Sequence, residues 1–312
     1  MKKIDLLNKK IMDFNLEKGM IKSVVIKNDL SYYVNNFLND EEFHDIRSLS
    51  KLIVSLCVGV LLFHPDFEHK SLNVNSCIWP FFKTYHNKIN NYNIDKVKKI
   101  KICHLLNQTT GFNNDKLCFS KNININRIDY LLEDVLNEPI IFEPGEKFVY
   151  SNGSAYILSA LIQLISGLNL LDFANKYIFM PLNITVKEWK KYGDFCSGAT
   201  GCKISICDFA KIIELILNDG FYENKEIISK KYISLMKSQC IESFDEKFIN
   251  KILLPKSYTY FLWKINDNQY FVNGANGQIA AFDFELKKYI IIFSNTTETK
   301  IVYELVKDFF EK

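Results

Sequence analysis

The stretch His44–Phe63 reads HDIRSLSKLIVSLCVGVLLF and changes abruptly from polar to apolar. After Lys51, Ser55 is the only residue with a polar side chain. A run that is apolar on every side is typical of a helix buried in the core of a protein. Ser48 and Lys51 stand at its start, three residues apart, so a helix that begins near Ser48 places both on one face.

This pair can be read in two ways. A serine hydroxyl is a weak nucleophile until a base takes its proton, and a lysine in a dry site can be that base. The alternative is a serine that caps the helix and a lysine whose charged end reaches solvent. Ser-x-x-Lys occurs again at Ser234 and Lys237, in the charged stretch KKYISLMKSQC, where it indicates a surface.

Strand patterns lie at the two ends of the chain, and helical patterns lie between them. MIKSVVIKNDLSYYVNNF predicts two strands around Asn28-Asp29, and further strands follow from Tyr258. Helix ends are predicted at Gly111, Gly167 and Gly220. The simplest packing is an antiparallel sheet built from both ends and covered by the terminal helices. The sequence thus predicts an α+β fold in one catalytic unit, 1–312. A sheet lobe comes from residues 1–47 and 255–312, a helical lobe from 52–250, and the site lies between them.

Composition and charge exclude several classes of function. The chain carries 39 basic and 36 acidic residues, which gives no electrostatic footprint for nucleic acid. The longest apolar run, Leu52–Phe63, is shorter than the roughly 20 residues that span a bilayer, so we expect no membrane partner. The N-terminal sequence MKKIDLLNKKIMDFNLEK has no apolar signal region, and we expect a cytoplasmic protein whose eight cysteines are reduced.

No cofactor or metal is predicted. Three cysteines lie close in sequence, but their spacing fits no zinc pattern, and small buried apolar residues are the better interpretation: Cys196, Cys202 and Cys207. His44 and His104 are interpreted as structural. The chain has no P-loop, dinucleotide fingerprint or HExxH motif.

Five segments, in one order, resemble the serine β-lactamase-like hydrolases. That superfamily includes class C β-lactamases, D-alanyl-D-alanine carboxypeptidases, D-aminopeptidases, family VIII esterases and 6-aminohexanoate-oligomer hydrolases. The segments are HDIRSLSKLIVSLCVGVLL, IKICHLLNQTTGF, PGEKFVYSNGSAYILSALIQLISG, GATGCKISICDFAKI and YFLWKINDNQYFVNGANGQIAAFDFELKKYIIIFSN. The resemblance implies a β-lactamase/transpeptidase-like fold, with a three-layer α/β/α sheet region beside the helical lobe.

The resemblance also implies roles for single residues. Ser48 would accept the acyl group, Lys51 would help to deprotonate it, and Tyr150 would relay the proton to the leaving group. Asn152 would bond Lys51 or the substrate. The backbone N–H of Ala275, paired with that of Ser48, would form the oxyanion hole.

The third family motif is altered. Relatives carry Lys-Thr-Gly or His-x-Gly at the start of a strand, and here the aligned residues are VNG (272–274), followed by ANGQ. Gly274 and Gly277 would let the backbone approach substrate closely. Asn273, Asn276 and Gln278 are candidate polar contacts, or else ordinary turn and strand-edge polarity. The missing basic side chain argues against action on β-lactams.

The sequence therefore predicts a serine hydrolase of a small ester, amide or peptide-like substrate, acting through an acyl-Ser48 intermediate. An acyltransferase on the same scaffold is one alternative, because it forms the same intermediate and resolves it with an alcohol or an amine. A non-catalytic binding or regulatory homologue is the other alternative.

Overall fold

The computed structural model describes residues 3–18, 20–28, 31–37, 42–113, 129–242 and 250–311. The helices are α1 Lys3–Lys18, α2 Ser50–Phe63, α3 Trp79–Phe82, α4 Asn91–Val97, α5 Ile102–Leu106, α6 Leu131–Leu136, α7 Asn152–Ser166, α8 Leu170–Ala174, α9 Ile206–Leu217, α10 Lys230–Ser238 and α11 Thr299–Phe310. The strands are β1 Ile21–Asn28, β2 Ser31–Asn36, β3 His44–Asp45, β4 Val186–Trp189, β5 Lys191–Tyr192, β6 Phe195–Cys196, β7 Cys202–Ile204, β8 Phe221–Tyr222, β9 Lys225–Glu226, β10 Ser257–Thr259, β11 Leu262–Lys264, β12 Gln269–Gly274, β13 Gln278–Asp283 and β14 Lys288–Ser294.

The main sheet joins the two ends of the chain. Its seven strands run in the order β10-β11-β12-β13-β14-β1-β2, and each neighbouring pair is antiparallel. Strand β1 lies against β14 with Ile26 opposite Ile290, so the N-terminal hairpin completes a sheet that the C-terminal strands begin. The two strands predicted around Asn28-Asp29 are confirmed, while Asp29 itself lies outside the described residues.

Helices cover both faces of this sheet, because successive side chains of β14 point to opposite faces and contact different helices. Tyr289 donates to Glu214 of α9 at 2.9 Å, and Phe293 packs edge-on against Phe209 of the same helix. Lys288, which points to the opposite face, lies over the ring of Phe309 in α11. Helix α1 packs on α11 and β1. The predicted fold class, an α+β arrangement of antiparallel sheet and helices, is confirmed.

Helix α2 is the buried spine that its sequence predicts. Every residue from Ser50 to Leu61 is buried, and the helix packs against α7 and α8. Burying one leucine or isoleucine stabilises a fold by about 1.5–3 kcal/mol, so this helix fixes the position of whatever precedes it. The segment that carries Ser48 is therefore attached to a helix that is buried over most of its length.

The middle of the chain is less regular than its helical patterns suggest. It also carries a small sheet, β3-β7-β4, and two hairpins, β5-β6 and β8-β9. The helix predicted to end at Gly111 already ends at Leu106, whereas Gly167 ends α7 in the left-handed conformation (φ 76°), as predicted.

In the described part of the chain, no single helix is long and apolar enough to span a membrane; Asn152–Ser166 and Leu170–Phe179 pass that test only together, bent by 73°.

Candidate active site

Ser48 lies in a tight turn directly before the buried helix. The helix that we predict from Ser48 begins at Ser50, and Arg47–Leu49 form a 3-10 turn instead. Arg47 opens this turn with a left-handed φ of 51°. Asp45 holds this conformation, because its Oδ1 accepts the backbone N–H of Arg47 at 2.9 Å and its Oδ2 pairs with the Arg47 guanidinium at 2.9 Å.

Lys51 lies beside Ser48 and is almost wholly buried, with 1% of its surface exposed. Its Nζ donates to Ser48 Oγ at 2.9 Å, to Asn152 Oδ1 at 2.7 Å and to the carbonyl of Ala199 at 3.4 Å. A neutral amine has two N–H donors and one lone pair, so in that form Lys51 can donate to two of these oxygens and accept the Ser48 proton. None of the three is a carboxylate, so a proton can pass between Ser48 and Lys51 without an acidic group competing for it.

Tyr150 and Asn152 enter the site at the start of α7. Ser151 caps this helix, with its hydroxyl accepting the N–H of Gly153 at 3.0 Å, and Asn152 is the first helical residue. Lys51 Nζ lies 4.9 Å from the centre of the Tyr150 ring. The structure thus brings Ser48, Lys51, Tyr150 and Asn152 together around one amine.

Gln108 holds this segment in place, and the sequence analysis missed it. Its backbone carbonyl accepts Val149 N–H and its side-chain Oε1 accepts Ser151 N–H, both at 2.8 Å. The residue is fully buried and has a left-handed φ of 60°. Its place in IKICHLLNQTTGF, one of the five segments that carry the family resemblance, was the available signal.

The altered third segment forms the tight connection between β12 and β13. Val272–Gly274 end strand β12. Ala275 and Asn276 line the cleft beside Ser48. A Cβ on Gly274 would lie 3.0 Å from Ser48 N, so this glycine allows the close approach of two protein segments.

Gly277 and Gln278 both pack against Ser294 and are not among the residues that line the cleft. A Cβ on Gly277 would meet Ser294 Oγ. The Gln278 side chain is 4% exposed and bonds the backbone of Ser294 at both its amide nitrogen and its oxygen. Its polarity is structural.

Asn273 is held by two aromatic residues rather than presented to a ligand. Its Oδ1 accepts from Trp263 Nε1 at 3.1 Å, and its Nδ2 donates to the Tyr303 hydroxyl at 2.8 Å. Burial raises the pKa of Tyr303, so this hydroxyl keeps its proton at neutral pH. Asn276 likewise donates its side-chain Nδ2 to Asn295 Oδ1, at 3.1 Å.

The cleft at Ser48 has a volume of about 340 Å³. Most of its lining residues have polar side chains; the lining consists of Asp45, Arg47, Ser48, Asn152, Lys190, Tyr192, Ala199, Thr200, Gly201, Ala275 and Asn276. A small acyl group fits such a space. Ser48 and Ala275 line the same cleft, so their backbone N–H groups remain the candidate oxyanion hole.

None of the cysteines and histidines that the structure describes lines the cleft at Ser48. No group of three or more His, Cys, Asp or Glu residues in the described ranges could hold a metal ion. Cys196 and Cys202 are buried, and Cys207 is exposed; Cys118 lies outside the described residues. His44 packs on Phe293, and burial lowers the pKa of His104 to about 4.

Comparisons with known proteins agree with this architecture. The octameric penicillin-binding protein homologue from Pyrococcus abyssi is similar in structure, with a TM-score of 0.77, 16% identity, and coverage of 98% of this chain and 77% of that one. The penicillin-binding protein from Bacillus halodurans has a TM-score of 0.71 and 15% identity, over 97% of this chain and 99% of that one. EstCE1, a hydrolase with promiscuous acyltransferase activity, has a TM-score of 0.69 and 14% identity, over 96% of this chain and 98% of that one. At these identities the likeness concerns the fold.

The sequence comparisons identify the family. Penicillin-binding protein 4* of Bacillus subtilis (strain 168) is 33% identical over 89 residues, a match that spans 26% of this chain and 19% of that protein. The family model described as Beta-lactamase matches residues 36–203, more than half of the chain, including Ser48, Lys51, Tyr150 and Asn152. The chain belongs to the β-lactamase family, whose fold is that of hydrolases.

Proposed function

We propose that this protein is a serine hydrolase of esters or amides that acts through an acyl-Ser48 intermediate. One observation carries the proposal: Lys51 is buried, 2.9 Å from Ser48 Oγ, and held by Asn152 at 2.7 Å. A buried lysine is unfavourable unless it is paired, and here its named partners are oxygens of the candidate site. The alternative of a helix-capping serine with a solvent-reaching lysine does not account for this burial.

The chemistry follows from the positions of these groups. Ser48 Oγ attacks the substrate carbonyl carbon while its proton passes to Lys51 Nζ. The carbonyl oxygen gains negative charge, which the N–H groups of Ser48 and Ala275 stabilise. When the bond to the leaving group breaks, the leaving group takes a proton relayed through Tyr150. Water then attacks the acyl carbon, and the same groups return the proton to Ser48.

The third segment bears on the choice of substrate. Val272 is 3% exposed and Asn273 is bonded to Trp263 and Tyr303, so this strand end presents no cation to a ligand. We therefore propose substrates other than β-lactams. Nitrocefin and a panel of penicillins should be turned over poorly, and efficient hydrolysis of any of them would contradict this interpretation.

Labelling Ser48 tests the proposal directly. The protein is incubated with 4-nitrophenyl butyrate and with a fluorophosphonate probe, and the adduct mass is located on the Ser48 peptide. Ser48→Ala should abolish turnover and labelling. Ser234→Ala is the matched control, because Ser234 belongs to the second Ser-x-x-Lys pattern, is exposed on α10 and bonds the carbonyl of Lys230. Absence of adduct, with Ser48→Ala indistinguishable from wild type, would favour a non-catalytic homologue.

An acyltransferase is the second candidate, favoured by the likeness to EstCE1. The cleft beside Ser48 is open to solvent, so an alcohol or an amine could reach the acyl group as water does. Adding a short alcohol to the 4-nitrophenyl butyrate assay separates the two functions. A transferase releases 4-nitrophenolate faster and forms a butyrate ester of the alcohol, whereas a strict hydrolase forms butyrate alone.

A further inference from the structure

Arg47 and Asp45 form a wall between two cavities. Both residues line the cleft at Ser48, and both also line a second cavity of about 480 Å³. The other residues around the second cavity are Lys22, Glu42, Phe43, His44, Lys187, Lys203, Gln278, Ser294 and Asn295. The Arg47 side chain is 41% exposed and thus reachable by a ligand in either cavity.

The backbone of Arg47 is strained in a way that favours a functional explanation. Its φ of 51° is a conformation that is unfavourable for an L-residue and that glycine adopts freely. Asp45 accepts not only Arg47 N–H but also Gly201 N–H, at 3.1 Å, so a carboxylate from one segment holds two loops in register. Strain of this kind at a site usually serves the placement of a particular side chain.

The charges around the two cavities are predominantly positive. Five basic residues line one or both, namely Lys22, Arg47, Lys187, Lys190 and Lys203, against two acidic residues, Glu42 and Asp45. Glu188, outside both linings, pairs with Lys203 at 3.0 Å and offsets part of this excess. Arg47 is the basic residue common to both cavities, and it directly precedes Ser48 in the chain.

We propose that Arg47 is a specificity-determining residue that binds an anionic oxygen group, a carboxylate or a phosphate, carried by the substrate while its scissile carbonyl lies at Ser48. This inference rests on the proposed hydrolase function. The ion pair with Asp45 uses one guanidinium nitrogen, Nη1, and a guanidinium offers five N–H donors in a planar fork that suits both anions. The basic second cavity accommodates the remainder of the anionic group.

Matched esters test this proposal. Two probes are anionic: the 4-nitrophenyl monoester of adipic acid, which carries a carboxylate, and the 4-nitrophenyl ester of 5-phosphonopentanoic acid, which carries a phosphate-like group. Both are compared with one uncharged reference compound, the methyl ester of the adipic acid probe. A fourth ester, 3-carboxy-4-nitrophenyl butyrate, is compared with 4-nitrophenyl butyrate and places the carboxylate on the leaving group. Charge-assisted bonds are strong enough that kcat/KM should favour at least one anionic ester over its neutral partner by about tenfold or more.

Variants of Arg47 then assign the preference. Asparagine tolerates the left-handed conformation, so Arg47→Asn should remain folded, as measured by circular dichroism. In this variant the ratio of kcat/KM for the anionic ester to that for the neutral ester should fall to about one. Arg47→Lys keeps the positive charge but loses the planar set of guanidinium donors, so it should retain only part of the preference for anionic esters. Lys70→Gln, an equal change of charge on an exposed residue outside both cavities, should leave the ratio as in wild type.

The outcomes separate this inference from the function on which it rests. Acyl-Ser48 formation without any anionic preference, or with a preference that Arg47→Asn leaves intact, would overturn the role of Arg47 alone. If no ester of either charge acylates Ser48, the hydrolase proposal itself fails. A preference lost in Arg47→Asn and weakened by high salt in wild type would support the proposal.

Discussion

Replacing Gly274 with alanine is the sharpest perturbation that the structure offers near the candidate site. Gly274 has a φ of −138°, which any residue adopts, so the substitution adds no backbone strain. The new Cβ would lie 3.0 Å from Ser48 N, 3.0 Å from Arg47 Cβ and 3.3 Å from Gln278 Cβ. Two of these neighbours belong to the turn that carries the candidate nucleophile, and all three are firmly attached parts of side chain or backbone.

The size of the effect follows from these distances. Non-bonded heavy atoms pack best at about 3.5–4.0 Å, so the Ser48 turn and strand β12 must separate by about half an ångström. Misplacement of reacting groups by about 1 Å costs about 100-fold in rate, and half of that displacement should cost about tenfold. Overpacking of a well-filled contact costs about 1–3 kcal/mol of stability.

Two measurements and one control variant test the prediction. The rate of fluorophosphonate labelling at Ser48 should fall about tenfold in Gly274→Ala, and urea denaturation should show the loss of stability. Gly167→Ala is the control, because φ is 76° and a Cβ there meets no atom within 4 Å. It should lose stability through backbone strain and label at the wild-type rate. Labelling of Gly274→Ala at the wild-type rate would refute the close coupling of this segment to Ser48.

Three further predictions concern the surroundings of the site. Gly59→Ala in helix α2 should lower the free energy of unfolding in urea by about 1–3 kcal/mol or more, because its Cβ would lie 2.5 Å from the buried ring of Tyr232; an unchanged unfolding midpoint would contradict this packing. Burial lowers the pKa of His104 to about 4, below its ordinary 6.5, so the unfolded chain takes up the proton first. Wild type should therefore lose about 1–2 kcal/mol relative to His104→Gln as the pH falls from about 6.5 to 4, less than the full pKa difference gives, because the ring is partly exposed to solvent. The protonated ring can no longer accept Lys101 N–H, and parallel pH profiles for the two proteins would count against this prediction. Gln108→Ala should slow labelling of Ser48, because it leaves a backbone N–H ahead of α7 without its acceptor, at a cost of about 1–3 kcal/mol; an equally fast reaction would show that this segment is held by other contacts.

The parts of the fold that the sequence predicts are those with strong local patterns. The all-apolar run of α2 has one stable environment, the core, and the alternating strands at both chain ends can satisfy their backbone groups by pairing with each other. The small strands between β4 and β9 are two to four residues long, too short for a period of two to be recognised. Their existence depends on partners far away in the chain, such as β3 with β7.

The details of the site escape the sequence for a related reason. Spacing places Ser48 and Lys51 on one face, but it does not show that Arg47 is left-handed, because that conformation is fixed by Asp45 together with Gly201, more than 150 residues away. Gln108 acts on the segment before α7 through a contact that no local pattern contains. In both cases a single polar side chain joins two distant loops, and the outcome is decided by tertiary structure.

The middle residue of the altered third motif, Asn273, links two parts of the fold. Its amide joins Trp263 of β11 to Tyr303 of α11, so the strand end is tied to the sheet on one side and to the covering helix on the other. A lysine at this position could not serve both partners, because its ammonium group only donates, whereas Asn273 accepts from one and donates to the other. Val272, which stands where relatives carry the basic residue, is 3% exposed, and the backbone beside Gly274 keeps its contact with Ser48. A cation for the substrate must then come from elsewhere in the cleft, and Arg47 is the one joined directly to the candidate nucleophile.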